Sequence, residues 1–122
     1  ALPSPHFLLH DAAGRVLLRR RPAKGLLGGM LEIPGTPWRD ARWTEAQALP
    51  HAPVEAPWRL LAGRARHGFT HFELEMILFV APLPPGAPPP AGEWQDRAAA
   101  RGALPSVMGR LLTLAAGESG LP

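Results

Sequence analysis

Two short apolar runs open the chain: residues 6–10, HFLLH, and residues 15–20, RVLLRR, separated by DAAG. Runs of this length, joined by a segment ending in Gly14, predict a β-hairpin in which the glycine supplies the turn conformation. Residues 22–35, PAKGLLGGMLEIPG, read as a glycine-rich loop with a strand-like piece at Met30–Ile33, ended by Pro34-Gly35. Thr44 precedes a run of helix formers in WTEAQALP, residues 43–50, which predicts a capped helix of about two turns before Pro50. Residues 58–66, WRLLAGRAR, and 72–81, FELEMILFVA, read as two longer strands. In the second, period-two alternation puts Phe72, Leu74, Met76, Leu78 and Val80 on one face. The other face changes from Glu73 and Glu75 to Ile77 and Phe79, as expected of a strand passing into a core with two sides.

Residues 82–90, PLPPGAPPP, carry six prolines, so an extended connector without ladder hydrogen bonds is expected there, with a polyproline ligand as the lesser alternative. LPSVMGRLLTLAA, 104–116, starts with Pro105 in its first turn and repeats apolar residues at helical spacing. The order β-β-loop-β-α-β-β-loop-α predicts an α+β domain with a mixed or antiparallel sheet, flanked by a short helix and a C-terminal helix.

The length of 122 residues suits one domain with a single core, and 46% apolar residues separate the chain from disordered sequences. Sixteen prolines and thirteen glycines favour short strands over long helices. No apolar run approaches the ~20 residues of a membrane helix. With no cysteine there is no disulfide, thiolate metal site or cysteine nucleophile. The formal charge is +3, and 12 of the 13 basic residues are arginine, the planar donor suited to phosphate. That bias fits a nucleic-acid partner and a GC-rich coding sequence equally well. A chain that begins at Ala1 is expected to be a piece of something longer.

Chemistry concentrates in HGFTHFELEM, residues 67–76. His67 and His71 have the i, i+4 spacing of a helical metal pair, but Gly68, Thr70 and the strand that follows argue against a helix. In extended chain the two rings would lie roughly 13 Å apart, too far for one ion. No G-x-S-x-G elbow surrounds a serine, and KGLLGGM is not a phosphate-binding P-loop. Glu73 and Glu75 form either a carboxylate pair or a solvated strand edge. The residues alone therefore predict no catalytic group and no metal site, and a small binding domain rather than a self-sufficient enzyme.

Three ordered blocks carry a resemblance: LLRRRPAKGLLGGMLEIPG (17–35), HGFTHFELEM (67–76) and LPSVMGRLL (104–112). Together they resemble the C-terminal domain of MutY-type adenine DNA glycosylases. The shared pattern is Arg-Pro, Lys-Gly, a Gly-hydrophobic pair and Glu-x-Pro, then a Phe-Ser/Thr-His turn and a Leu-Pro start to the last helix. Leu27 and Leu31 stand where the family often has tryptophan, a change expected to alter packing more than recognition. The resemblance implies a Nudix-like fold over residues 1–122, and GGMLEIPG also looks like the lead-in to the catalytic box of a Nudix hydrolase. That box continues R-E-x-x-E-E, glutamates that bind the activating divalent metals. Here TPWRDARWTEAQALPHAP follows Gly35 and holds only Glu45. A divergent Nudix hydrolase of oxidised nucleotides is thus the alternative reading.

In the resembled family, adenine opposite 8-oxoguanine is excised by an N-terminal helical domain that carries a 4Fe-4S cluster. The resemblance implies that this chain lacks that half, has no cofactor of its own and works beside the glycosylase domain. Its implied partner is duplex DNA containing 8-oxoguanine paired with adenine, in the cytoplasm of a bacterial cell near the nucleoid. The Phe-Ser/Thr-His turn maps onto Phe69, Thr70 and His71. Oxidation turns the N7 acceptor of guanine into a donor and adds an oxygen at C8. A hydroxyl both accepts and donates, so Thr70 suits both changes. Phe69 would serve as a wedge and His71 as a further polar contact or loop brace. On the residues alone, Phe69 is equally a core residue and Thr70-His71 a strand cap. Lys24, Arg64, Arg66 and His67 are the candidate phosphate contacts.

Overall fold

In the computed structural model, which describes residues 3–117, Gly14 adopts φ +81° and closes the turn between β1 (Ser4–His10) and β2 (Arg15–Arg20). The Asp11 carboxylate accepts the backbone N–H groups of Ala13 and Arg15, so the turn donors are satisfied locally. β3 (Leu31–Glu32) pairs antiparallel with the end of β2. Thr44 caps α1 (Glu45–Ala48) through a reciprocal capping box with Gln47, and a 3-10 turn, Leu49–His51, replaces the second helical turn.

The span predicted as one strand over 58–66 is divided. β4 (Arg59–Leu60) and β5 (Ala65–Gly68) both pair antiparallel with β6 (Glu73–Pro82), β4 against its end and β5 against its start. Gly63 lies between them, and a Cβ there would sit 2.8 Å from the Leu114 side chain. β7 (Glu93–Asp96) pairs with β2, and α2 (Arg97–Ala103) follows with Asp96 as its cap; neither element was expected. α3 (Ser106–Ala116) starts one residue later than predicted, with Pro105 at the cap.

The sheet runs β3-β2-β1-β6-β4, with β5 also on β6 and β7 on β2. β1 and β6 are parallel, Ser4 opposite Met76 through His10 opposite Pro82, so the sheet is mixed. β6 has two apolar faces, as its sequence requires. Leu74, Met76, Leu78 and Val80 join Leu8, Leu18 and the α3 residues Val107, Met108, Leu111 and Leu112 in the main core. Phe79 joins Phe7 and Ala48 on the other side, with Phe7 stacked on Phe79 and edge-on to Trp58. Phe72 is the exception: it precedes the strand and is 48% exposed.

The LEIPG segment is built into this core. Gly35 bridges to His6, Phe7 donates to the Pro34 carbonyl (2.7 Å), and Thr36 donates to the Pro5 carbonyl (3.1 Å). Buried Glu32 accepts from Arg19 (2.8 Å) and Arg21 (2.9 Å), and Arg21 also donates to the Leu26 carbonyl. The Arg-Pro and Glu-x-Pro parts of the motif are thus two ends of one clasp around the 22–30 loop. Leu31 is buried in the main core and Leu27 packs against it.

Candidate nucleic-acid interface

β5 and β6 meet in a tight hairpin in which Phe69 N–H donates to the Phe72 carbonyl at 2.7 Å. Thr70 and His71 form its exposed apex. Phe69 is half-buried, packs against the main core and stacks on Phe72, with ring centroids 4.9 Å apart. His67, one turn of the pleat earlier, sits edge-on to Phe69 at 4.8 Å. Its Nδ1 accepts from the Nε–H of Arg110 on α3 at 3.1 Å. The apex is therefore held from beneath by a contact chain: α3, Arg110, His67, Phe69, Phe72. The core and wedge readings of Phe69 both keep a footing, since one side packs and the other remains open.

This placement separates the expected residues into groups. Phe69, Thr70, His71 and His67 share the hairpin. Arg64 and Arg66 flank its base and converge on Glu75 rather than standing free: Arg64 donates to one carboxylate oxygen, and Arg66 lies 3.4 Å from the other. The hydrogen bond from Arg64 and the charges of both arginines hold the Glu75 carboxyl below its ordinary range, against the opposing effect of burial. Glu75 is buried while Glu73 is exposed, so neither a carboxylate pair nor a solvated edge describes them. Lys24 lies on the separate β2–β3 loop, exposed, and no hydrogen bond or ion pair among the described residues ties it to the hairpin.

The arrangement also contains residues that the sequence did not single out. Arg110 is one, because its link to His67 spans 43 positions. Trp38, Trp43 and Phe72 are others: with Arg39, Asp40 and Glu73 they line an open cleft of about 530 Å³ beside the turn. The Arg39 guanidinium lies 3.5 Å from the Trp43 ring centre. Aromatic residues in WRDARW were the available signal.

His6 has a structural role. Its buried Nδ1–H donates to the Ile33 carbonyl at 2.9 Å, and Nε2 lies 3.4 Å from the Ser4 hydroxyl. A carbonyl only accepts, so the ring is the Nδ1–H tautomer. Burial keeps it neutral by lowering its pKa. Between Gly35 and Trp58 the carboxylates are Asp40, Glu45 and Glu55, all exposed. Among the described residues, no group of three or more His, Cys, Asp or Glu side chains is placed to hold a metal ion. No helix there is long and apolar enough to cross a membrane.

The family model of the NUDIX domain matches residues 6–114, and the chain belongs to that family. No curated protein matches it in sequence. Among solved structures, the chain resembles the C-terminal domain of mouse MUTYH, solved in complex with human PCNA. The TM-score is 0.69 at 23% identity, covering 91% of this chain and 84% of that one. It also resembles a MutT protein from Methanosarcina mazei Go1, with TM-score 0.71 at 15% identity over 93% and 91% of the two chains. A third likeness is to the M. smegmatis Nudix hydrolase RenU, with TM-score 0.56 at 17% identity over 89% and 80%. At these identities the likenesses establish the fold.

Proposed function

We propose that this member of the NUDIX domain family is the lesion-reading domain of an A/G-specific adenine DNA glycosylase. It recognises 8-oxoguanine opposite adenine and helps to clasp the duplex. One observation carries the reading: the hairpin presents the Thr70 hydroxyl at an exposed apex while aromatic packing and Arg110 brace the chain below it. A hydroxyl in that position accepts from the N7–H of 8-oxoguanine and donates to O8, whereas guanine has a bare acceptor at N7 and no oxygen at C8. His71 stands beside it as a second polar contact, and the half-exposed Phe72 stacked on Phe69 offers apolar surface to a neighbouring base. Catalysis, base flipping and the iron–sulfur cluster belong to a glycosylase domain of the same parent protein; no catalytic residue is assigned to residues 1–122. The fold likeness to the MUTYH C-terminal domain supports this reading.

Thr70→Val, which keeps the shape and removes the hydroxyl, is the test. Duplexes carrying adenine opposite 8-oxoguanine or guanine are compared by binding to the domain and by adenine release from the full-length glycosylase. Wild type should prefer the lesion; Thr70→Val should lose on the order of 1–3 kcal/mol of that preference, and Thr70→Ser should keep it. Unchanged selectivity in Thr70→Val removes the hydroxyl from the mechanism.

A second reading, hydrolysis of oxidised nucleotides, is favoured by the aromatic cleft of Trp38, Trp43 and Phe72, whose volume suits a nucleotide base. Incubation with 8-oxo-dGTP and magnesium separates the two: pyrophosphate release supports the hydrolase, and an inert mixture supports the recognition domain.

A further inference from the structure

Four arginines gather on one side of the hairpin. Arg64 and Arg66 come from β5 and its approach, Arg110 from α3, and Arg101 from α2, which donates to the Thr113 hydroxyl at 3.1 Å. Arg64, Arg66, Arg110 and Thr113 line an open groove of about 370 Å³ between β5 and α3. Among the described residues, the ion pairs of Arg64 and Arg66 are both with Glu75, which is buried beneath them. The side chains of those two arginines remain 48% and 64% exposed, and a guanidinium has five donors, more than Glu75 takes up. Clustered like charges repel one another, and an anion seated among them removes that cost. A planar guanidinium also matches two oxygens of one phosphate.

We propose that the β5–α3 groove is a phosphodiester site, in which Arg110 and Arg101 join Arg64 and Arg66 in holding the backbone of the strand read by the turn. This rests on the reading that the domain clasps duplex DNA. The geometry also sets a register. Arg66 and Thr70 lie four residues apart on the same hairpin, so a phosphate in the groove and a base at the apex belong to nearby steps of one strand. Arg110 belongs to both parts, since it lines the groove and donates to His67 beneath the apex. A phosphate held there fixes the strand relative to the hydroxyl that reads it.

The experiment measures duplex affinity against salt concentration for the domain, on damaged and undamaged DNA. Arg101→Gln and Arg110→Gln are compared with Arg59→Gln on β4, against the far end of β6. Each groove variant should weaken binding to all sequences and reduce the slope of log affinity against log salt by about 0.9, while Arg59→Gln leaves the slope unchanged. Arg101 donates to Thr113 and is not part of the Arg110–His67 brace, so its variant reads the groove without removing that link. A single uncharged methylphosphonate walked along the strand flanking the lesion should lower the wild-type slope at the step seated in the groove, and lower it less in the Arg101→Gln/Arg110→Gln double variant. Slopes of the groove variants equal to that of Arg59→Gln overturn the groove while lesion preference is still read in the same titrations. Conversely, reduced slopes with no preference for 8-oxoguanine sink the lesion reading and leave the groove standing. Absence of salt-dependent binding to either duplex removes both.

Discussion

Replacing Glu75 by glutamine should move stability and DNA affinity in opposite directions. The carboxylate accepts from Arg64, lies 3.4 Å from Arg66, and has a side chain only 11% exposed. A charge-assisted hydrogen bond contributes about 1.5–3 kcal/mol when well shielded. Both guanidinium partners are about half exposed, so solvent screening brings the expected loss at pH 7 to about 1 kcal/mol. The pH dependence has a defined sign. The Glu75 carboxyl is held low by the Arg64 hydrogen bond first and by the charges of Arg64 and Arg66. Its contribution is therefore complete above the ordinary carboxylate range and disappears as pH falls through the depressed folded value. Urea denaturation of wild type and Glu75→Gln should show the gap at neutral pH and its closure in acid. In duplex binding at low salt, the variant releases both arginines from an internal competitor, and affinity should rise about two- to fivefold. Loss of stability together with loss of affinity would refute this reasoning, because it would mean that Glu75 aims the arginines rather than competing for them. A stability gap that persists undiminished at low pH would refute the electrostatic part.

Gly35→Ala should cost at least about 2 kcal/mol, since its Cβ would lie 2.7 Å from His6 Nδ1 and from the Pro5 carbonyl oxygen, both in a packed interior. Gly68→Ala, whose Cβ meets nothing within 4 Å, should stay within about 0.5 kcal/mol in the same urea titration, and comparable losses for the two would refute the close-approach account. Burial lowers the pKa of His6, and burial with Arg97 lowers that of His10, so the unfolded chain takes up protons first. Stability should be complete above about pH 6.5 and fall on acidification by at most about 1.4 kcal/mol per unit for each ring; a flat urea midpoint between pH 7.5 and 5.5 would count against it.

Local signals were readable where local chemistry decides the structure. Gly14 at a positive φ, the Thr44–Gln47 capping box and the helical period of 104–116 need only near neighbours. The two-sided run became the central strand because from Met76 onward its composition leaves no polar face to solvate. Elements fixed by distant partners were not readable. β7 is four residues long and exists through pairing with β2, although Asp96 before an alanine run was a usable helix signal for α2. The strand expected over 58–66 is interrupted at Gly63, where Leu114 of α3 approaches. Around the hairpin, the turn at residues 69–71 was readable from its place between two strands, but the partners of the charges were not. Glu75 read as half of a carboxylate pair or as part of a solvated edge, and in the fold it is buried under two arginines. Phe72 looked like the first core residue of a strand, and is instead the last residue of the turn, half open to solvent.

The parallel pairing of β1 with β6 also sets an order of events in chain synthesis. Ser4 has no partner until Met76 has been made, so closing the middle of the sheet carries a long loop and a slow search. The β5–β6 hairpin joins near neighbours and can form as soon as residue 76 emerges. The edge of β6 that will receive β1 is then briefly open, flanked by Met76, Leu78 and Val80, the moment of greatest exposure to aggregation. A newly made chain thus pairs its β5–β6 hairpin before it closes its sheet, and substitutions that slow the docking of β1 should lower the yield of folded protein.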